Sequence, residues 1–310
     1  MSLFGTYIQE ACEAMDNEKI VVDENYSFAN AIAEVSYLEG ALVAESATFA
    51  MLTEGFVLEG VELPEALNED IKEKAKAAGA AIATKAEAAL GKIVEFFTNF
   101  SNKIYATIMN KITELSKSGR VLKSEVEVFD FNAEALKKLT KKIDNTANMY
   151  ATIIGGSSVP TAGKVDELEQ IEKDVAGLEE NFFNNKTFKK TYRVGDKIEI
   201  ACGHAIEAAK REKAAADTQK ADFTKIKAGA AKAKNQDAGD KAEDFKKYLA
   251  DAVKVGRLSM VVHNKIKNRL YADVAALFKA SGDAAKAADK KEKAEEKAAK
   301  KGDAVDILTA

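Results

Sequence analysis

Along most of this chain apolar residues recur at spacings of three and four, the period that predicts helices. Phe4, Ile8, Ala11, Cys12 and Met15 describe one such face at once. After a break at Val21–Asn25, Ser27 is expected to cap a second helix, with Ala31, Ile32, Val35, Leu38, Leu42 and Val43 inward. Gly55, Gly60 and Pro64 then punctuate the chain, and Asn68 stands where a cap would open the next helix. From Ile71 through Ile82, Leu90, Phe97, Phe100 and Ile108 to Leu115 the stripe holds for about 45 residues. That is roughly 65 Å of helix if unbroken, and Gly79 and Gly91 are the positions at which it would bend or divide.

Two segments change period. Residues 121–131 (VLKSEVEVFDF) alternate, and residues 191–201 (TYRVGDKIEIA) read as two short strands around Gly195–Asp196. Their pairing would make a small β element on a helical frame. Asn132 is expected to cap a helix running to about Ile154, and residues 155–163 (GGSSVPTAG) read as a linker. Phe245, Leu249, Val253, Gly256, Met260, His263, Ile266, Leu270, Val274 and Leu277 then predict a last long helix. Beyond Ala280 the residues up to Ala304 carry no apolar stripe. The expected fold is mainly α: an elongated helical bundle with long helices and a small β element. The expected parts are an acidic helical leader over 1–73, long helices with a short strand over 74–154 and the linker at 155–163. A helical region with a short β-hairpin over 164–280 and an Ala/Lys/Glu-rich tail over 281–310 complete the chain.

Composition agrees with the period. Trp is absent, only Pro64 and Pro160 interrupt the chain, and 46% of the residues are apolar. Cys12 and Cys202 form no spacing pattern of a disulfide frame and are expected to be thiols in a reducing compartment. The N-terminus lacks the basic region of a secretory signal. Five glutamates interrupt Ser27–Gly60, the most apolar stretch, so no transmembrane segment is expected.

Charge changes the picture most. The first 73 residues carry sixteen acids against two bases, a balance of −14. The other 237 carry 34 acids against 44 bases, a balance of +10, so the net −4 conceals an acidic leader on a basic body. Such asymmetry points to partners or processing rather than to fold.

Candidate chemistry is sparse. Cys202-Gly203-His204 sets a thiol beside an imidazole, but adjacency in sequence is not the geometry of a nucleophile and its base, and a buried cysteine near a tight turn is the expectation. His263 lies on the apolar stripe and reads as a core or interface residue; two histidines and two cysteines so far apart do not predict a zinc site. The glycines and serines at 155–158 lack the lysine and the preceding strand of a phosphate loop. Phe96, Phe97, Phe100 and Tyr105 interleave with Lys92, Lys103 and Lys111, yet fall on the stripe of Ile93, Ile104 and Ile108, which favours a core. In the tail Lys286, Lys290, Lys291, Lys297, Lys300 and Lys301 stand as candidate contacts to a phosphate backbone, against a solvated, self-pairing helix as the bland reading. No catalytic residue, metal, cofactor or small-molecule substrate is expected.

The most specific local feature is Leu52-Thr53-Glu54-Gly55. It matches the leucine/isoleucine–any–glutamate pattern cut by capsid-maturation proteases of many tailed bacteriophages. Leu63-Pro64-Glu65, Leu67-Asn68-Glu69 and Ile71-Lys72-Glu73 repeat it where leader meets body. With the acidic leader, residues 92–101 (KIVEFFTNFS), 126–132 (VEVFDFN) and 268–279 (NRLYADVAALFK), the chain resembles an internal head or inner-core virion protein of a large tailed bacteriophage. The resemblance implies a chain made in the host cytoplasm, assembled with prohead, capsid or core proteins, trimmed at Glu54–Gly55 and kept inside the capsid near DNA. The modest basic excess implies weak, non-specific DNA association. The alternative is a non-enzymatic intracellular helical adaptor or membrane-surface interaction protein that keeps its leader.

Overall fold

The computed structural model describes residues 18–53, 65–155, 165–184, 186–233 and 240–282. Among them are the helices α1 (Glu18–Thr53), α2 (Glu65–Lys103), α3 (Asn110–Ser116), α4 (Glu134–Gly155), α5 (Val165–Ala176), α6 (Ile198–Ala233) and α7 (Asp240–Ala280). A π-helical segment, Ile104–Met109, joins α2 to α3, so the chain is helical from Glu65 to Ser116. The irregularity falls there and not at Gly79 or Gly91. Strands β1 (Val126–Phe129) and β2 (Lys189–Tyr192) pair antiparallel, with Val126 opposite Tyr192 and Phe129 opposite Lys189. The chain is thus mainly α, a bundle of long helices with one small β element.

The longest helix organises the rest. α7 has 41 residues, about 60 Å of helix, and it packs against α1, α2, α4, α5, α6 and β1. Such a central position needs an apolar surface wider than one stripe. Leu249, Val253, Met260, Ile266, Leu270 and Val274 are all buried, and so are Val255, Val262 and Leu258 beside them. Gly256 admits the closest approach, because a Cβ there would run into Ile93 Cδ1 and lie 3.1 Å from Phe223 Cε1. The β element is tied to α7 by one bond: the Phe129 amide donates to Asp273 Oδ2 at 2.8 Å.

Several local expectations are corrected. α1 runs without a break through Val21–Asn25, so Ser27 lies inside the helix and not at its cap. Val43 faces solvent, while Phe28, outside the expected set, is buried. α2 begins at Glu65, so Asn68 is also interior. Asn132 does not cap α4; its Oδ1 accepts from Arg211 Nη1 at 3.2 Å. Only the first half of 191–201 borders a strand: Tyr192 ends β2 and Arg193–Asp196 turn at Gly195, whose φ of 91° suits glycine. Residues from Ile198 open α6 instead of a second strand. Ile198 is buried and Ile200 exposed, the outcome of helical rather than alternating geometry. Gly155 closes α4, and the rest of the expected linker lies outside the described residues.

Candidate functional site

The acidic leader packs into the body through α1. Phe28, Val35 and Leu42 are buried and seven residues apart, so they form one seam facing α2 and α7. Phe28 is the anchor. Its ring meets Phe96 and Phe100 at 5.1 and 6.0 Å between centroids. The fully buried Lys267 ammonium lies 4.1 Å from its face, and Lys103 lies over the same ring at 5.8 Å. Aromatic and cation–π contacts thus converge on one side chain.

Carboxylates flank this seam. Glu34 meets Lys92 at 2.9 Å and Glu45 meets Lys85 at 2.6 Å, both lysines on α2. Glu39 takes Arg257 of α7 with both carboxylate oxygens. The Glu34 carboxylate holds the Lys92 ammonium above its ordinary range. Acids of the leader are therefore matched to bases of the body along an antiparallel helix pair.

A second polar arrangement crosses α4, α6 and α7. Ser259 Oγ donates to Gln219 Oε1 at 2.7 Å, and Gln219 Nε2 donates to Asp144 Oδ1 at 2.5 Å. Burial raises the Asp144 carboxyl, partly opposed by the Gln219 bond. One turn along, His263 Nδ1 sits 3.0 Å from Glu212 Oε2, an approach whose angles do not make a hydrogen bond. Phe97 and Phe100 meet the His263 ring edge-on at 5.4 and 5.3 Å. Farther on, Asp273 is pushed up to about 6 by burial, against the pull of Arg269 and the Phe129 amide. These groups fix which faces of three helices meet, since each finds its partner only in this register.

The candidates from sequence separate clearly. Cys202 is buried and its thiol is pushed up to about 12 by that burial, so it stays protonated near neutral pH. His204 Nδ1 is 2.6 Å from the Tyr192 hydroxyl, and residues two apart on α6 do not face each other. Cys202 and His204 are not brought together as a nucleophile and its base. The expected tight turn is instead the first turns of α6. His263 lies in the core, as its stripe predicts, and Phe96, Phe97 and Phe100 are core residues. Leu52 falls in the last turn of α1; Glu54 and Gly55 lie outside the described residues, as do Lys286, Lys290, Lys291, Lys297, Lys300 and Lys301. Glu65, Glu69 and Glu73, the other glutamates of the repeated pattern, lie within α2. Sequence reasoning missed Glu212, Gln219 and Ser259. The available signal was that Glu212, Ala216, Gln219, Phe223, Ile226 and Ala230 alternate by four and three on one face of α6.

The chain is therefore a helical bundle with a charge-matched N-terminal helix docked on it and a buried polar seam behind. Among the described residues no group of three or more His, Cys, Asp or Glu is placed to hold a metal ion, and no helix is long and apolar enough to cross a membrane. No protein-family model, curated protein or solved structure matches the chain.

Proposed function

We propose that the chain is a non-enzymatic structural protein of a tailed-phage head interior, made as a precursor whose acidic helix covers the basic body until the maturation protease cuts Glu54–Gly55. The observation that supports this reading is the docking of α1 by leader carboxylates on Lys85, Lys92 and Arg257. The favoured bond lies one residue beyond the last residue of α1, whereas the alternative glutamates sit on α2, where a protease must first unwind the backbone. Residues 1–54 carry ten acids and one base, so their loss turns the net −4 into +5. That excess suits weak, salt-sensitive association with packaged DNA, through the tail lysines among others, with prohead or core proteins as partners.

The burial of Phe28, Val35 and Leu42 favours the second reading, a helical adaptor that keeps its leader. Intact mass and N-terminal sequence of particle-associated protein decide between them. A chain starting at Gly55 supports the precursor, and one starting at Met1 or Ser2 overturns it. For the DNA contact, particle-derived protein should retard duplex DNA at low salt and release it steeply as salt rises; no retardation removes that part.

A further inference from the structure

Three large apolar side chains stand exposed at one end of the bundle: Val121 at 47%, Val194 at 65% and Ile200 at 57%. Backbone bonds bring them together. Val121 bridges to Lys197, between Val194 and Ile200 in sequence. The Leu122 amide donates to the Asp196 carbonyl at 2.9 Å, and the Gly195 amide to the Leu122 carbonyl at 2.9 Å. Exposed bases surround them, Arg120, Lys123, Arg193 and Lys197. Of the nearby acids, Asp196 turns its carboxylate to the Arg193 amide at 2.7 Å, leaving Glu199 and Glu125 against four bases. An apolar cluster with a basic rim marks a docking surface.

The chain itself leads to the occupant. α7 ends at this tip: the Lys123 amide donates to the Ala280 carbonyl at 2.7 Å, and Gly282 lies against the Lys123 side chain. The remaining residues therefore start beside Val121. Their sequence is Ala-, Lys- and Glu-rich until Asp303–Leu308 (DAVDIL), where Val305, Ile307 and Leu308 alternate with Asp303 and Asp306. Three apolar side chains and two carboxylates answer three apolar side chains and a basic rim.

We propose that Asp303–Leu308 docks on the Val121–Val194–Ile200 patch of its own chain. The intervening 21 residues cover about 25 Å as a coil and about 30 Å as a helix, enough to return to a surface that lies at their own origin. Tethering at that length gives a local concentration on the order of millimolar, so a small contact suffices. Docking closes the lysines at 286–301 into a loop at the tip. This inference is independent of the proposed function.

The test uses the full chain carrying a benzophenone amino acid at Ile307. Irradiation at low protein concentration should give crosslinks to peptides containing Val121–Lys123 and Arg193–Ile200. In a mixture of light and heavy-isotope protein, every crosslink should join like with like. The double substitution Val194→Asp and Ile200→Asp, at exposed positions, should abolish them with the helical circular dichroism unchanged. Crosslinks to other regions, mixed-isotope crosslinks from a second copy, or yields indifferent to the double substitution would each overturn the proposal. So would an absence of crosslinks with Lys123 and Lys197 shielded from acetylation only by added duplex DNA, which gives the patch to nucleic acid.

Discussion

Two seams run along α7 and treat charge in opposite ways. Toward α1, apolar residues fill the middle and the ion pairs Glu34–Lys92, Glu39–Arg257 and Glu45–Lys85 stand at the rim, partly in water. Toward α4, α6 and β1, the charged and polar groups are inside: Glu212, Gln219, Asp222, Ser259, His263 and Asp273 are all buried. Rim pairs cost little to break and little to leave, because water receives the separated charges. Buried groups must keep their partners or shift their protonation. The α1 seam is therefore built to part, with its strength in a few apolar anchors, and the α4–α6 seam is built to stay.

The strongest break of this comparison is Phe28→Ala. Removing a buried aromatic costs about 3–5 kcal/mol, and here the loss should fall on α1 alone. Hydrogen exchange should show α1 amides losing protection while those of α6 and α7 keep theirs. Equal loss in all three helices would make α1 part of one cooperative unit and erase the distinction between the seams.

Asp273 sharpens the other side. Its carboxyl is raised from 3.8 to about 6, so the folded protein binds this proton more tightly than the unfolded chain. Stability from this group is full below about pH 4 and declines as pH rises through about 6, by roughly 3 kcal/mol for two units. Asp217, lowered chiefly by Lys213, acts with the opposite sign and below that window. Asp273→Asn keeps an acceptor for the Phe129 amide and has no proton to lose. Its stability relative to the parent should therefore improve between pH 4 and pH 7, as followed by urea denaturation. A flat difference would place the Asp273 charge in water.

How much of this was legible in sequence differs between the seams for a physical reason. The α7 stripe was read correctly because burial of apolar residues at period 3.6 is what periodicity reports. The same rule misread α1: an apolar helix with Val43 on its outer face has no polar side to orient it. Ser27 looked like a cap because propensity favours it there, but packing of the neighbouring Phe28 holds the helix through that point. Ile198 and Ile200 alternate like a strand over four residues, too short a window to show the Ala-rich continuation that makes α6. The buried polar seam left only polar residues at inward positions of α6 and α7, and their partners come from distant segments such as Asp144. The pattern matches at Glu54–Gly55 and the tail lysines fall outside the described residues.

Ser259→Ala tests whether the inner seam depends on partners. Ser259 and Gln219 are buried, and the substitution leaves Gln219 Oε1 without its donor. An orphaned buried acceptor costs about 1–3 kcal/mol. The change in shape is small, so denaturant midpoints should fall with little change in slope. Gln219→Leu together with Ser259→Ala removes both partners, yet strands the Asp144 carboxyl that Gln219 serves. The double variant should therefore recover little, and full recovery would show the chain of bonds to be dispensable.

The smallest effect belongs to the rim. Glu45 and Lys85 are each about one third exposed, and an exposed pair contributes about 0.2–1 kcal/mol, less at high salt. Glu45→Gln keeps the shape of the side chain and removes its charge. The coupling between Glu45→Gln and Lys85→Gln, taken from a double-mutant cycle on the opening of α1, should lie in that range in dilute buffer and vanish at molar salt. Adding Glu34→Gln and Glu39→Gln should lower protection of α1 stepwise without reaching the loss from Phe28→Ala. A triple variant in which α1 opens as fully as in Phe28→Ala would reverse the ranking. The leader would then be held by its charges, and salt alone would release it.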